Sequence, residues 1–106
     1  MQVTESYRVD FLRLPWEVMM PGVRHKYIDR EGVRLRIVEY TPEQEPTWCT
    51  KSHFGQWLDG RFEIEFAKHT EIFEAGDGVH IPGGEAHRHK GRCLTETATA
   101  LFVEKI

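Results

Sequence analysis

The chain has 106 residues, 40% hydrophobic and 29% charged, enough for one globular domain with its own core. A formal net charge of −3 offers no electrostatic grip on nucleic acid or on an acidic membrane surface. No apolar stretch approaches the roughly 20 residues of a membrane-spanning helix, and the start Met1-Gln2-Val3-Thr4-Glu5 lacks the pattern of a signal peptide. Two cysteines, Cys49 and Cys93, are too few for a disulfide framework, so a cytoplasmic protein with free thiols is expected; a secreted chain with one Cys49–Cys93 bridge is the alternative.

Residues 1–24 crowd Phe11, Leu12, Leu14, Trp16, Val18, Met19 and Met20 around Pro15 and Pro21. The prolines oppose a continuous helix. This segment is read as an extended arm packing on apolar surface, either of its own domain or of a partner subunit. Residues 25–106 then form the main domain, in which the dominant period is two. Val33, Leu35 and Ile37 alternate with Arg34 and Arg36, and the apolar set is expected to face the core. Thr41–Pro46 is a polar loop. Asp59-Gly60 reads as a two-residue hairpin turn, followed by Phe62, Ile64 and Phe66 alternating with charge. Further turns fall at Gly76-Asp77-Gly78, Pro82-Gly83-Gly84 and Lys90-Gly91, and 98–103 reads as a central strand covered on both faces. Many short strands with regular turns make an all-β sandwich or barrel.

Gly76, Pro82, Gly84 and His87 fall on the positions of the second cupin motif, with Gly91 where that motif closes on asparagine. Gly60 matches the glycine of the first motif. Counting back from it places His53 where the family has glutamate, Cys49 at its second histidine and Thr47 at its first. Over roughly residues 33–106 the sequence thus resembles the cupin superfamily, in a small single-domain form with an atypical first motif. The resemblance implies a double-stranded β-helix, or jelly-roll-like barrel, with one metal site. Fold alone does not name an activity.

In that register Cys49, His53 and His87 converge, and His89, which shares strand parity with His87, serves as a fourth ligand or as a support for the others. A thiolate with imidazoles favours zinc, with iron, nickel or copper as alternatives, and three protein ligands leave a position open. Trp57 and Phe102 are the expected walls of a pocket for a small organic ligand. His25, His69 and His80 read as ordinary solvated histidines, and Glu85 as a solvated turn carboxylate or an acid–base group at the mouth.

Three functions are compatible with this pattern. The first is a metal-dependent enzyme acting on a small metabolite. The second is a non-catalytic ligand- or metal-sensing module, because Pro15-Trp16 and Pro21-Gly22-Val23 resemble the start of the zinc cupins of anti-sigma factors, although the length leaves no room for their helical sigma-binding domain. The third is a metal-free structural barrel. A homodimer is expected from the apolar arm and the family habit, with neither nucleic acid nor membrane as partner.

Overall fold

The computed structural model describes residues 6–106. It contains nine strands: β1 (Glu17–Met20), β2 (Val23–Arg30), β3 (Val33–Tyr40), β4 (His53–Asp59), β5 (Arg61–Phe66), β6 (Thr70–Glu74), β7 (Gly78–Ile81), β8 (His89–Cys93) and β9 (Ala98–Lys105). Two short 3-10 turns, Phe11–Arg13 and Glu85–His87, are the other regular elements among the described residues. A six-stranded sheet in the order β1-β2-β3-β9-β4-β7 faces a three-stranded sheet in the order β6-β5-β8, and every strand pair is antiparallel. The all-β architecture is the one expected from the strand-and-turn pattern, and its jelly-roll-like form is the one that the family resemblance implied.

The β2–β3 hairpin turns on Glu31-Gly32, both at positive φ (51° and 75°). These are the signs that a two-residue turn matching strand twist requires. Asp29 and Arg34 pair across its base through two hydrogen bonds of 2.8 and 3.0 Å. The segment Glu17–Met20, inside the stretch read as an arm, is a strand of the sheet paired with β2. Just before it, Trp16 lies against β2, with Arg24 Cζ and Lys26 Nζ at 4.3 and 4.5 Å from its ring.

Asp59-Gly60 is not a hairpin turn. β4 belongs to the large sheet and β5 to the small one, so the pair is the corner where the chain changes sheets. Asp59 is not at positive φ; Gly60 is, at 76°, and a Cβ there would collide with the Thr97 carbonyl. The sequence signal for a tight turn was real, but a corner needs the same glycine.

The interior is built from alternate residues of both sheets. Val38, Trp57, Ala98, Ala100 and Phe102 from one side meet Phe62, Ile64 and Cys93 from the other. Trp57 is the largest fully buried side chain, with its ring stacked on Phe62 at 4.7 Å.

The expected parity of β3 is reversed. Arg36 and Val38 are buried and line the interior with Arg34 and Tyr40, whereas Val33 is exposed and Leu35 and Ile37 belong to the outer face. The reason lies in the sheet. On that outer face Leu35 pairs with Ile28 and Val103, and Ile37 pairs with Leu101, so an apolar row exists outside the sandwich as well. The inner face at this end borders a cavity, where Arg34 pairs with Asp29 and Arg36 with Glu104.

Candidate metal and ligand site

Cys49, His53 and His89 come together at one end of the sandwich. Cys49 sits in the loop before β4 and exchanges both backbone hydrogen bonds with His89, at 2.7 and 3.0 Å. That bridge places the two side chains next to each other. His53 opens β4 and His89 opens β8; their rings meet edge-on at 5.0 Å. One ligand atom from each of the three residues lies within 4.8 Å of the other two.

The chemistry of these donors fits a metal ion. His53 Nδ1 and His89 Nε2 are buried and have no hydrogen-bond partner. Unpaired buried polar atoms are uncommon and each calls for a reason. His89 Nδ1 donates to the His87 carbonyl at 3.0 Å, which leaves Nε2 as the bare lone pair. This is the outer hydrogen bond that fixes the tautomer of a ligating histidine. Burial, with the nearby charges of His89, Arg36 and Lys51, pushes the His53 pKa down to about 4, so its ring is neutral at pH 7. Cys49 Sγ accepts from the Lys51 backbone N–H at 3.4 Å.

The His53 shift carries a pH dependence. Unfolded histidine titrates near 6.5, so below that pH the unfolded chain takes up a proton that the native metal-free protein refuses until about pH 4. This contribution to stability is present above 6.5 and is lost as pH falls. Urea unfolding of metal-free protein should show a loss of roughly 2 kcal/mol between about pH 6.5 and 4.5 from this group. His53→Gln should flatten that part of the profile; an unchanged profile would contradict the assignment.

His87 is not part of the cluster. It ends the 3-10 turn Glu85–His87, its side chain is exposed, and it enters the site only through its carbonyl. β8 begins two residues later, so the inward position is His89. Glu85, in the same turn, is exposed. Trp57 and Phe102 are both buried and line the cavity. The Phe102 ring touches His53 at 4.9 Å and meets Trp57 edge-on at 6.2 Å, so Trp57 supports the site through Phe102.

The cluster opens on a cavity of about 340 Å³ between the sheets. Val38, Trp57, Phe62, Ile64, Val79 and Phe102 form its apolar wall, and Met19, Met20, Gln44 and Lys51 also line it. Beside Phe102 and Val38 in that wall lies a polar group that the sequence reading missed. Arg36 is buried, pairs with Glu104 at 2.7 Å, and has its Cζ at 5.8 Å from the Phe102 ring. His25, read from sequence as solvated, is buried beside it, and its Nδ1 accepts from Arg36 Nη1 at 3.3 Å. Burial and the Arg36 charge lower the His25 pKa, consistent with a neutral acceptor. The available signal was the shared parity of Arg36 with Val38 and Tyr40, masked by the more apolar row beside it.

No family model matches this sequence, and no curated protein matches it. Solved structures do. The chain aligns with KdgF from a Halomonas species at a TM-score of 0.75 and 18% identity, covering 94% of this chain and 92% of that one. A sugar phosphate isomerase of the cupin superfamily from Silicibacter pomeroyi aligns at 0.73 and 14% identity, covering 93% and 75%. An RmlC-like cupin from Shewanella frigidimarina aligns at 0.69 and 13% identity, covering 93% and 91%. With its two antiparallel sheets, its interior cavity and these neighbours, the chain has the fold of a small cupin.

Proposed function

We propose that this protein binds one divalent metal ion, zinc above the alternatives, through Cys49, His53 and His89, inside a pocket for a small organic molecule. The observation that carries the reading is the convergence of three donor atoms within 4.8 Å, two of them on buried imidazoles whose free nitrogens have no partner. A thiolate and two imidazoles suit zinc better than manganese or magnesium. Three protein ligands leave one position for water or substrate, and an ion held this way polarises a bound carbonyl or acidifies water. The chain's own contribution is the rest of the pocket: Phe102 braces His53, the His87 carbonyl orients His89, and the apolar wall excludes water.

An enzyme acting on a small metabolite is the favoured form of this reading, because the metal cluster opens on a cavity of about 340 Å³ that also holds the Arg36–Glu104 pair. Neighbours of the same fold include a sugar phosphate isomerase. A sensing module is the second reading, supported by the likeness of the fold to part of a transcriptional regulator from Vibrio cholerae.

Competitive zinc titration against a chromophoric chelator tests the site. Wild type and His87→Ala should each bind one equivalent with similar affinity. His89→Ala should lose at least about 100-fold, as expected when one of three ligands is removed. Equal loss in both variants, or none in either, would defeat the assignment.

A further inference from the structure

The charge of the cavity runs against the charge of the chain. The whole chain carries −3. Yet the cavity lining includes Arg34, Arg36, Lys51 and Lys90 against a single carboxylate, Glu104. Asp29 takes Arg34 and Glu104 takes Arg36, but Lys51 makes no ion pair among the described residues.

Arg36 is the deepest of these cations, with its side chain nine-tenths buried. Its donors are incompletely used. Nη2 goes to Glu104 at 2.7 Å, while Nη1 has only neutral partners, His25 Nδ1 at 3.3 Å and Met19 Sδ at 3.6 Å. Its Nε is buried with no acceptor at all. A guanidinium has five N–H groups in a fixed fork and cannot relieve the deficit by losing its proton. A buried donor left in this state calls for a reason, and an acceptor bound beside the guanidinium supplies one.

We infer that the molecule held in this cavity is an organic carboxylate, with its anionic head on Arg36 and its apolar body against Phe102 and the wall behind it. A singly charged planar head suits the position. Arg36 keeps Glu104 beside it, which would repel a phosphate dianion, and the guanidinium plane favours the in-plane acceptors of a carboxylate. Phe102 and Val38, the walls beside that head, offer good contact for an apolar or aromatic body, and the unpaired Trp57 Nε1 and Gln44 Oε1 are the polar atoms left over in the lining. The inference rests on the reading of this cavity as a ligand pocket, and not on the presence of the metal.

The test uses matched pairs that differ in charge and hardly in shape: benzoate against benzamide, and malonate against malonamide. Binding is measured by calorimetry and by the shift in melting temperature, on zinc-loaded and on metal-stripped protein. At least one carboxylate should bind ten or more times tighter than its amide in both forms. Arg36→Lys preserves a cation for Glu104, and with it the fold, while removing the fork; it should lose the carboxylate at least tenfold and leave amide binding unchanged. Cys49→Ser should weaken zinc without abolishing the Arg36-dependent preference. No preference for carboxylate over amide in either form overturns the inference, as does a preference that Arg36→Lys leaves intact. Failure of zinc binding with the Arg36-dependent preference preserved would remove the metal reading alone.

Discussion

Trp57→Ala is expected to lower the unfolding free energy by roughly 3–5 kcal/mol, the range for deleting a large aromatic side chain from a packed core. Trp57 is 1% exposed. It stacks on Phe62 at 4.7 Å and 22°, meets Phe102 edge-on at 6.2 Å, and touches Tyr40 and Phe73 at 6.0 and 6.3 Å. Among the described residues, no other side chain joins both sheets through so many rings. Its Nε1 is buried without an acceptor, so part of its worth is already offset. Trp57→Phe, which removes that N–H along with less volume, should therefore cost far less than the alanine change. Because Phe102 braces His53, the alanine variant should also weaken zinc. Urea denaturation checks both substitutions, and a cost below about 1.5 kcal/mol for Trp57→Ala would mean that the interior is not organised around this ring.

The second large effect is stabilisation by the metal. A ligand that binds only the native state adds RT ln(1 + [L]/Kd), or about 4 kcal/mol at a free concentration 1,000 times Kd. For a domain of this size that corresponds to a rise in melting temperature of more than about 10 °C. Zinc should produce this rise in wild type and in His87→Ala. It should produce almost none in His89→Ala or His53→Ala, because the affinity is gone. The variants also reveal what the ion replaces: removing a buried imidazole with an unpaired nitrogen relieves a burial cost, so metal-free His89→Ala should be no less stable than metal-free wild type by more than about 1–2 kcal/mol. Magnesium at the same concentration should do little, since a thiolate and two imidazoles are poor ligands for it.

Much of this was legible in the sequence, for physical reasons that differ by element. The all-β architecture follows from period-two runs punctuated by glycine and proline. Counting back from Gly60 singled out Cys49 and His53, which lie together because Cys49 bridges to β8 and His53 opens β4. The histidine of the second motif pointed to His87, whereas the clustered ring is that of His89. The two share parity, and only the 3-10 turn at Glu85–His87, which delays the start of β8, separates them. Periodicity cannot see such a delay.

β3 was less legible because both of its faces have a use. Val33, Leu35 and Ile37 look like a core row, and Leu35 and Ile37 do pack, but outside the sandwich against Ile28, Leu101 and Val103. The row Arg34, Arg36, Val38 and Tyr40 lines the cavity because its charges find partners on neighbouring strands: Asp29 on β2 and Glu104 on β9. Those partners are 5 and 68 residues away from their arginines, and only strand register brings the distant one close. His25 was misread for the same reason, since its burial depends on lying beside Arg36.

The most direct test of the Cys49–His53–His89 site is the absorption spectrum of the protein loaded with cobalt(II) in place of zinc. A cysteine thiolate bound to cobalt gives an intense near-ultraviolet charge-transfer band, and a four-coordinate ion gives strong visible bands. Both should appear at one equivalent of cobalt. Cys49→Ser should abolish the charge-transfer band, while Cys93→Ser should leave it, because Cys93 is buried with its Sγ near the Thr95 carbonyl at 3.2 Å. Absence of the band in wild type, or its survival in Cys49→Ser, would contradict the site.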